Sequence, residues 1–408
     1  MSMPRRAPLA GIRVADFTWV WAGPHCTLQL AHLGAEVIRV ETATRLCVTR
    51  MLPPFARFQP GPNRSGYFNQ YNQGKKSITL DLKRPEALEV ARRLCAASDI
   101  VAENFAAGVM DRMGLGYTVL RELRPDLIMI ALSGYGATGP DAHKVSYGPA
   151  QVPLSGFSSV TGYRGHPPMH IGISYGDPTG GLHGAVAVLA ALLHRARTGA
   201  GQYIDVSQWE TTMAVLPEAL LAQTLNGAPP ERDGNRVPYM APHGIFRAAG
   251  DDDRWVALAI EDDAQWARFA RLLGDPELAR DARFATLAAR KAHEDILERM
   301  VAAWIGGRSP EEAVAALQAA GLPAFVAARN RDLAEDPHLQ ARGYFVTLEH
   351  PEVGALLHCG VPWRMSASDS RVRAPAPCLG QHTEEVLRDV CGYRPDEIAR
   401  LQAAGVLA

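Results

Sequence analysis

From residue 12 to residue 136 the chain alternates short runs of strand character with longer runs of helical spacing, and few folds accommodate that order. IRVADF (12–17) is a strand pattern, followed by a turn at Gly23 and Pro24. CTLQLAHL (26–33) has helical spacing and stops at Gly34, the residue type that commonly ends a helix. AEVIRVE (35–41) is the next strand, which makes the stretch a βαβ unit with a parallel strand pair. The pattern recurs with KSITLDL (76–82), the helix PEALEVARRLCAAS (85–98) opened by Pro85, and the strand DIVAENF (99–105). LRELRPDLIMIALSGYG (120–136) adds a helix end and one more strand. Serial βα units predict an α/β fold with a doubly wound parallel sheet, because each crossover lays a helix on one of the sheet's faces.

Further along, HGAVAVLAALLHRART (183–198) predicts a helix with basic residues in its last turn and Gly199 beyond it, and GQYIDVS (201–207) predicts a strand. After residue 222 the texture changes. NGAPPERDGNRVPYMAPHG (226–244) is rich in Pro, Gly and Asn and reads as a linker or surface excursion. WVALAI (255–260) is a strand pattern, and AQWARFARLLG (264–274), AARKAHEDILERMVAAWIG (288–306) and SPEEAVAALQAAG (309–321) are amphipathic helices. The expected division is a large domain over 1–222, a smaller α+β domain over 223–330, and a tail over 331–408 that returns to the large domain.

Composition narrows the function. A formal net charge of −1 leaves no basic excess to neutralise nucleic-acid phosphates. The six cysteines are scattered, without a CxxC pair or metal-ligand spacing, so free thiols and a cytoplasmic setting are expected, with no bound metal. The first residues lack the apolar core of a signal peptide, and the longest apolar run, AVAVLAALL, is about half a membrane span.

One carboxylate stands out. In GISYGDPTGGLHG (172–184), Asp177 sits among glycines just ahead of the helix pattern. Glycines permit close approach of a ligand, and a helix N-terminus favours negative charge by roughly 0.3–1 kcal/mol. A carboxylate held there facing an acyl group is a nucleophile; a simple helix cap is the plain alternative. Lys75, Lys76, Lys83, Arg112 and Lys144 fall near the ends of predicted strands, where α/β sheets bind ligands, although each taken singly reads as a solvated surface charge. No GxGxxG follows the first strand, and neither GxxxxGK[ST] nor HExxH occurs.

The motif order DFTWVWAGPHCTLQLAHLGAEVIRVE, NQGKKSITLDLK, ENFAAGVMDRMGLGY, SGYGATGP, GDPTGG, RTGAGQYIDVS and PCLGQHTEEVL resembles the class III CoA-transferases, the CaiB/BaiF family. The resemblance implies a large Rossmann-like domain built from both chain ends, a small middle domain, and an interlocked dimer, with a heteromer of related subunits as the other assembly. It implies no permanently bound cofactor; the substrates are an acyl-CoA, succinyl-CoA in the branches it looks most like, and an organic acid that takes the CoA. Asp177 would attack the thioester and carry an anhydride and then an aspartyl-CoA thioester. By motif, Val20, Ala22, Leu80, Lys83, Asn104, Phe105, Arg112, Met113 and Lys144 would cradle CoA.

The chain also departs from the pattern. Trp21 stands where some relatives carry a Gln, and it would shape the acyl pocket. Thr42 replaces an Arg, a charge for which Arg45 is the substitute. Arg164 and His170 are candidates to hold a second carboxylate of the acid. The α-methylacyl-CoA racemases of the same family pair the aspartate with an upstream His; here Tyr147 and Gly148 occupy that stretch, which favours transfer over racemisation. A non-catalytic acyl-CoA-binding subunit is the third reading, opposed by the intact GDPTGG.

Overall fold

The computed structural model describes residues 6–228, 230–250 and 252–408. The chain divides into two units, one comprising residues through Ser159, His170–Pro230 and Gln340–Ala408, the other Val160–Met169 and Glu231–Leu339.

In the first unit, β1 (Arg13–Asp16), β2 (Glu36–Glu41), β3 (Lys76–Thr79), β4 (Ile100–Glu103), β5 (Ile128–Ser133) and β6 (Gln202–Ser207) form one sheet. Its order is β3-β2-β1-β4-β5-β6 and every neighbouring pair is parallel. The order reverses between β1 and β4, so the loops after them diverge and leave a crevice at the C-terminal edge.

Alternation along each strand builds two cores. Ala15, Ile38, Val101 and Met129 face one side, where they pack with α3 (Pro85–Ala96) and with Val386 and Leu387 of the helix Thr383–Asp389. Val14, Val37, Ile100 and Ile128 face the other, against Leu30 of α1 (Ala22–His32) and Val188 of the helix at Gly176–Thr198. The C-terminal tail thus completes this unit. The Ser77 N–H donates to His382 Nδ1 at 3.2 Å and the Thr79 N–H to Thr383 Oγ1 at 3.1 Å. The strands Phe345–His350 and Gly354–Cys359 pair only with each other, as a two-stranded antiparallel sheet.

Between the strands lie α2 (Gly66–Tyr71), α4 (Val109–Arg112), α5 (Tyr117–Leu123), α6 (Gly148–Leu154) and α7 (Phe157–Val160), then α8 (Gly176–Thr198), α9 (Gln208–Met213) and α10 (Pro217–Asn226). The long helix differs from the sequence expectation. It begins at Gly176 rather than His183, so Gly180, Gly181 and Gly184 lie inside it. Packing explains why poor helix formers are used there. A Cβ at Gly181 would come within 2.6 Å of the Ala22 carbonyl oxygen, and one at Gly184 within 2.7 Å of Leu132 Cδ2.

The second unit has a three-stranded antiparallel sheet of β7 (His243–Arg247), β8 (Trp255–Ala259) and β9 (Ala324–Val326). Trp266, Phe269, Phe284, Leu297 and Val301 fill its core. The helical run expected over 288–306 is split into Leu287–Ala292 and Glu294–Gly306, because the His293 ring Nδ1–H donates to the Ala289 carbonyl at 2.9 Å and its backbone leaves helical geometry. No described helix is long and apolar enough to cross a membrane.

Gly181→Ala reverses a familiar rule. In an exposed helix the change stabilises by about 1 kcal/mol; here the new methyl meets backbone, and urea unfolding should show a loss of roughly 1–3 kcal/mol. A neutral or stabilising result would show that α1 and α8 do not pack this closely.

Candidate active site

The β1–α1 loop is fixed from beneath. Lys75 Nζ, fully buried, reaches Asp16 Oδ2 at 3.2 Å, Pro24 O at 3.0 Å, Thr27 Oγ1 at 2.8 Å and Asn72 Oδ1 at 3.1 Å. Burial alone would push the Asp16 carboxyl up. The Lys75 ammonium and Arg39, with the Thr18 and Thr27 hydroxyls, outweigh that and hold it below its ordinary value. Burial lowers the Lys75 ammonium to about 8, with Asp16 opposing. Above this pair the loop is clamped to the one after β4: the Trp19 N–H donates to Asn104 Oδ1 at 2.7 Å, and Asn104 Nδ2 donates to Trp19 O at 2.8 Å. Val20 takes φ 63°, a conformation a β-branched residue adopts only under constraint, and its N–H donates to Cys47 Sγ at 3.3 Å.

Asp177 occupies the first turn of α8. It is not the cap; Tyr175 holds that position and no side chain caps the helix. Its carboxylate accepts a hydrogen bond from the Ala22 N–H of the clamped loop. On another side it lies against Gly148, where a Cβ would sit 1.8 Å from Asp177 Oδ2. With 6% exposure, desolvation dominates: burial pushes the carboxyl up to about 7, and the Ala22 N–H only moderates the rise. The helix terminus therefore does not keep it ionised at low pH, as the sequence alone suggests. Aromatic rings flank it. Trp21 packs on Tyr67 with centroids 5.6 Å apart and on Tyr71 at 5.0 Å. Burial raises both phenols, Tyr71 to about 12, and the Asp177 charge adds to each. His25, whose ring packs on Tyr71 with centroids 5.6 Å apart, is lowered by burial to about 4, then by Lys75 and His32, so it is neutral at physiological pH.

A cavity of about 500 Å3 opens over the C-terminal edge of the sheet. Val20, Leu80, Lys83, Asn104, Phe105, Met113, Lys144, Tyr147 and Asp177 all line it, together with Thr42 and Arg45. Arg45 stacks on the Trp19 ring at 5.8 Å. Ala22 is buried and not part of the wall; its N–H meets Asp177 instead. Asn104 is present, but both ends of its amide are taken by Trp19.

Other candidates lie elsewhere. Lys75 is consumed by the buried pair, and Lys76 bridges Glu36 at 2.9 Å and Glu385 at 2.7 Å, so neither is a free phosphate ligand. Arg112 is exposed and not part of the cavity wall. Arg164 belongs to the second unit, paired with Asp233 at 3.1 Å. His170 is exposed, its Nδ1 accepting from the Gly172 N–H at 3.1 Å. Tyr67, Ser146 and Gln208 are not among the residues expected from the sequence. Tyr67 could have been found from YFNQY, whose tyrosines fall on one helix face; Ser146 and Gln208 have no local pattern.

A buried carboxylate on the wall of a cavity that Arg45, Lys83 and Lys144 also line has the surroundings an anionic thioester would need to meet a nucleophile. Among the described residues no cluster could hold a metal ion. The model of CoA-transferase family III matches residues 9–383. The chain is 35% identical over 400 residues to a succinyl-CoA--D-citramalate CoA-transferase of Chloroflexus aurantiacus, covering 98% of each. It is 35% identical over 388 residues to a succinate--glutarate CoA-transferase of Agrobacterium fabrum, covering 95% of this chain and 96% of that one. A solved CAIB/BAIF family protein from Brucella suis is similar with a TM-score of 0.84 and 32% identity, over 95% of this chain and 100% of that one.

Because the folded-state carboxyl of Asp177 titrates above its ordinary value, its ionisation costs stability, increasingly as pH rises from about 4 through about 7. Asp177→Asn should therefore be more stable than the wild type at pH 8, by of the order of 2–4 kcal/mol, with the gap closing below pH 4. Thermal unfolding across pH measures it. A pH-independent difference would show the carboxylate to be solvated.

Proposed function

The chain belongs to CoA-transferase family III, and from that premise we propose which residue carries the acyl group and which acids exchange it. The protein is an enzyme that transfers CoA between an acyl-CoA and a carboxylate.

In the proposed mechanism the Asp177 carboxylate attacks the thioester carbonyl, the C–S bond breaks and CoA leaves as thiolate. The thiolate then attacks the Asp177 carbonyl of the mixed anhydride, giving an aspartyl-CoA thioester and releasing the donor acid. The acceptor carboxylate attacks that thioester, the thiolate leaves again, and its attack on the acceptor carbonyl forms the new acyl-CoA and frees Asp177. Arg45 and Lys83 would hold the phosphates, joined by the exposed Lys144 on exchanging its partner Asp141, 2.8 Å away, for a phosphate. The observation that carries this reading is Asp177 itself, buried, held by the Ala22 N–H and open to the cavity. Gly148 argues against racemisation: no side chain fits there without striking Asp177, so a second base cannot stand at that position.

The name of the first relative supports succinyl-CoA as donor, and both names support a five-carbon dicarboxylic acid as acceptor. A homodimer is proposed from α8, where Leu182, Val186, Leu189 and Leu193 form an apolar stripe exposed by 46%, 67%, 37% and 53%. Light scattering should return twice the mass of one chain.

Asp177→Ala should lower transfer by at least about four orders of magnitude, and hydroxylamine with acyl-CoA should inactivate the wild type by capturing Asp177 as a hydroxamate. Transfer at an undiminished rate in the variant would remove the mechanism. Activity should fall about tenfold per pH unit below about 7, as Asp177 protonates. With succinyl-CoA, dicarboxylic acceptors should outpace monocarboxylic acids of equal length; equal rates would overturn the substrate class alone.

A further inference from the structure

Gln208 opens α9 directly after β6 and lines the same cavity as Asp177. Its side chain is 6% exposed, so both ends of its amide call for partners. Nε2 donates to the Leu132 carbonyl at 3.1 Å, and that bond sets the orientation, since a flipped amide would set two oxygens against each other. Oε1 is left without a partner. A buried acceptor in that state is destabilising, and a ligand donor would relieve it. Gly180 lies one turn beyond Asp177 on α8, and a Cβ there would come within 2.9 Å of Gln208 Cγ, so the amide stands over the helix face that carries the nucleophile.

Around a reacting acyl-CoA the thioester oxygen, the sulfur and the acceptor carboxylate all accept hydrogen bonds. The nearest donor belongs to the pantetheine arm, an amide N–H two carbons from the sulfur. Resting on the CoA-transfer reading above, we propose that the Gln208 amide oxygen is a positioning group that accepts from this N–H. Held there, the arm sets the thioester carbonyl against Asp177, where a small misplacement is costly in rate.

The test is a double cycle of enzyme and substrate. One substrate is succinyl-CoA; the other is its analogue with an ester oxygen in place of that N–H. Gln208→Met, of similar length but without the acceptor, should lower kcat/KM for succinyl-CoA about tenfold and leave the analogue's kcat/KM unchanged within about twofold. Gln208→Asn, which keeps the amide on a shorter stem, should behave likewise and serves if the Met variant is unstable. Equal losses on both substrates, or a loss that follows a hydroxyl on the acceptor acid instead, would overturn the assignment. Wild-type enzyme that transfers no CoA at all would overturn the underlying reading of the reaction instead.

Discussion

The buried pair of Lys75 and Asp16 is the constraint on which the site depends. An ammonium and a carboxylate lie at the end of β1, both out of water, a location where desolvation is expensive unless every charge is met. They are met: the three N–H groups of Lys75 are shared among four oxygens within 3.2 Å, and Asp16 accepts from Thr18 and Thr27 as well. The Pro24 carbonyl among those oxygens belongs to the first turn of α1, so the pair fixes where that helix starts. Ala22 is thereby set with its N–H toward Asp177, and Val20 is held at a φ it would not otherwise adopt.

A second constraint comes from the opposite side. Asp177 approaches the loop only because α8 lacks side chains where it crosses α1, and only because residue 148 has none. Glycines in a helix cost stability and allow this contact; a buried ionisable carboxylate costs more. The fold accepts both in the same few residues, the usual sign that local stability has been exchanged for chemistry.

Period and punctuation made the α/β architecture legible. Each strand of the parallel sheet was visible as a short apolar run, and Pro85 and Gly34 marked real helix ends. The aspartate was visible too, because a lone charge among glycines is unusual. What failed was anything set by distant partners. The start of α8 was missed because glycine propensity is low and only the packing of α1 overrides it. Lys75 and Lys76 read as a basic patch since Asp16, Glu36 and Glu385 are remote in sequence. Asn104 lines the expected cavity, but that its amide also ties two loops together has no sequence signal. Gln208 offers no pattern at all; its meaning comes from a carbonyl on β5 that leaves one amide oxygen unmet.

The raised Asp177 carboxyl also bears on how the proposed intermediates partition. An ordinary carboxylic acid titrates at about 4, whereas burial holds this one near 7. In an anhydride of the two, the more acidic partner is the better leaving group, so thiolate attack at the Asp177 carbonyl, which expels the donor acid, is favoured over return to the acyl-CoA. The aspartyl thioester is in any case a less activated compound than either flanking anhydride, because a thiolate is a poorer leaving group than a carboxylate. The covalent enzyme then rests as a thioester, the intermediate that water hydrolyses least readily, while the free acid departs and its replacement arrives. Burial that weakens the carboxylate as an acid thus favours entry into this thioester, and by the same measure makes expulsion of Asp177 from the acceptor anhydride the more demanding half of the cycle.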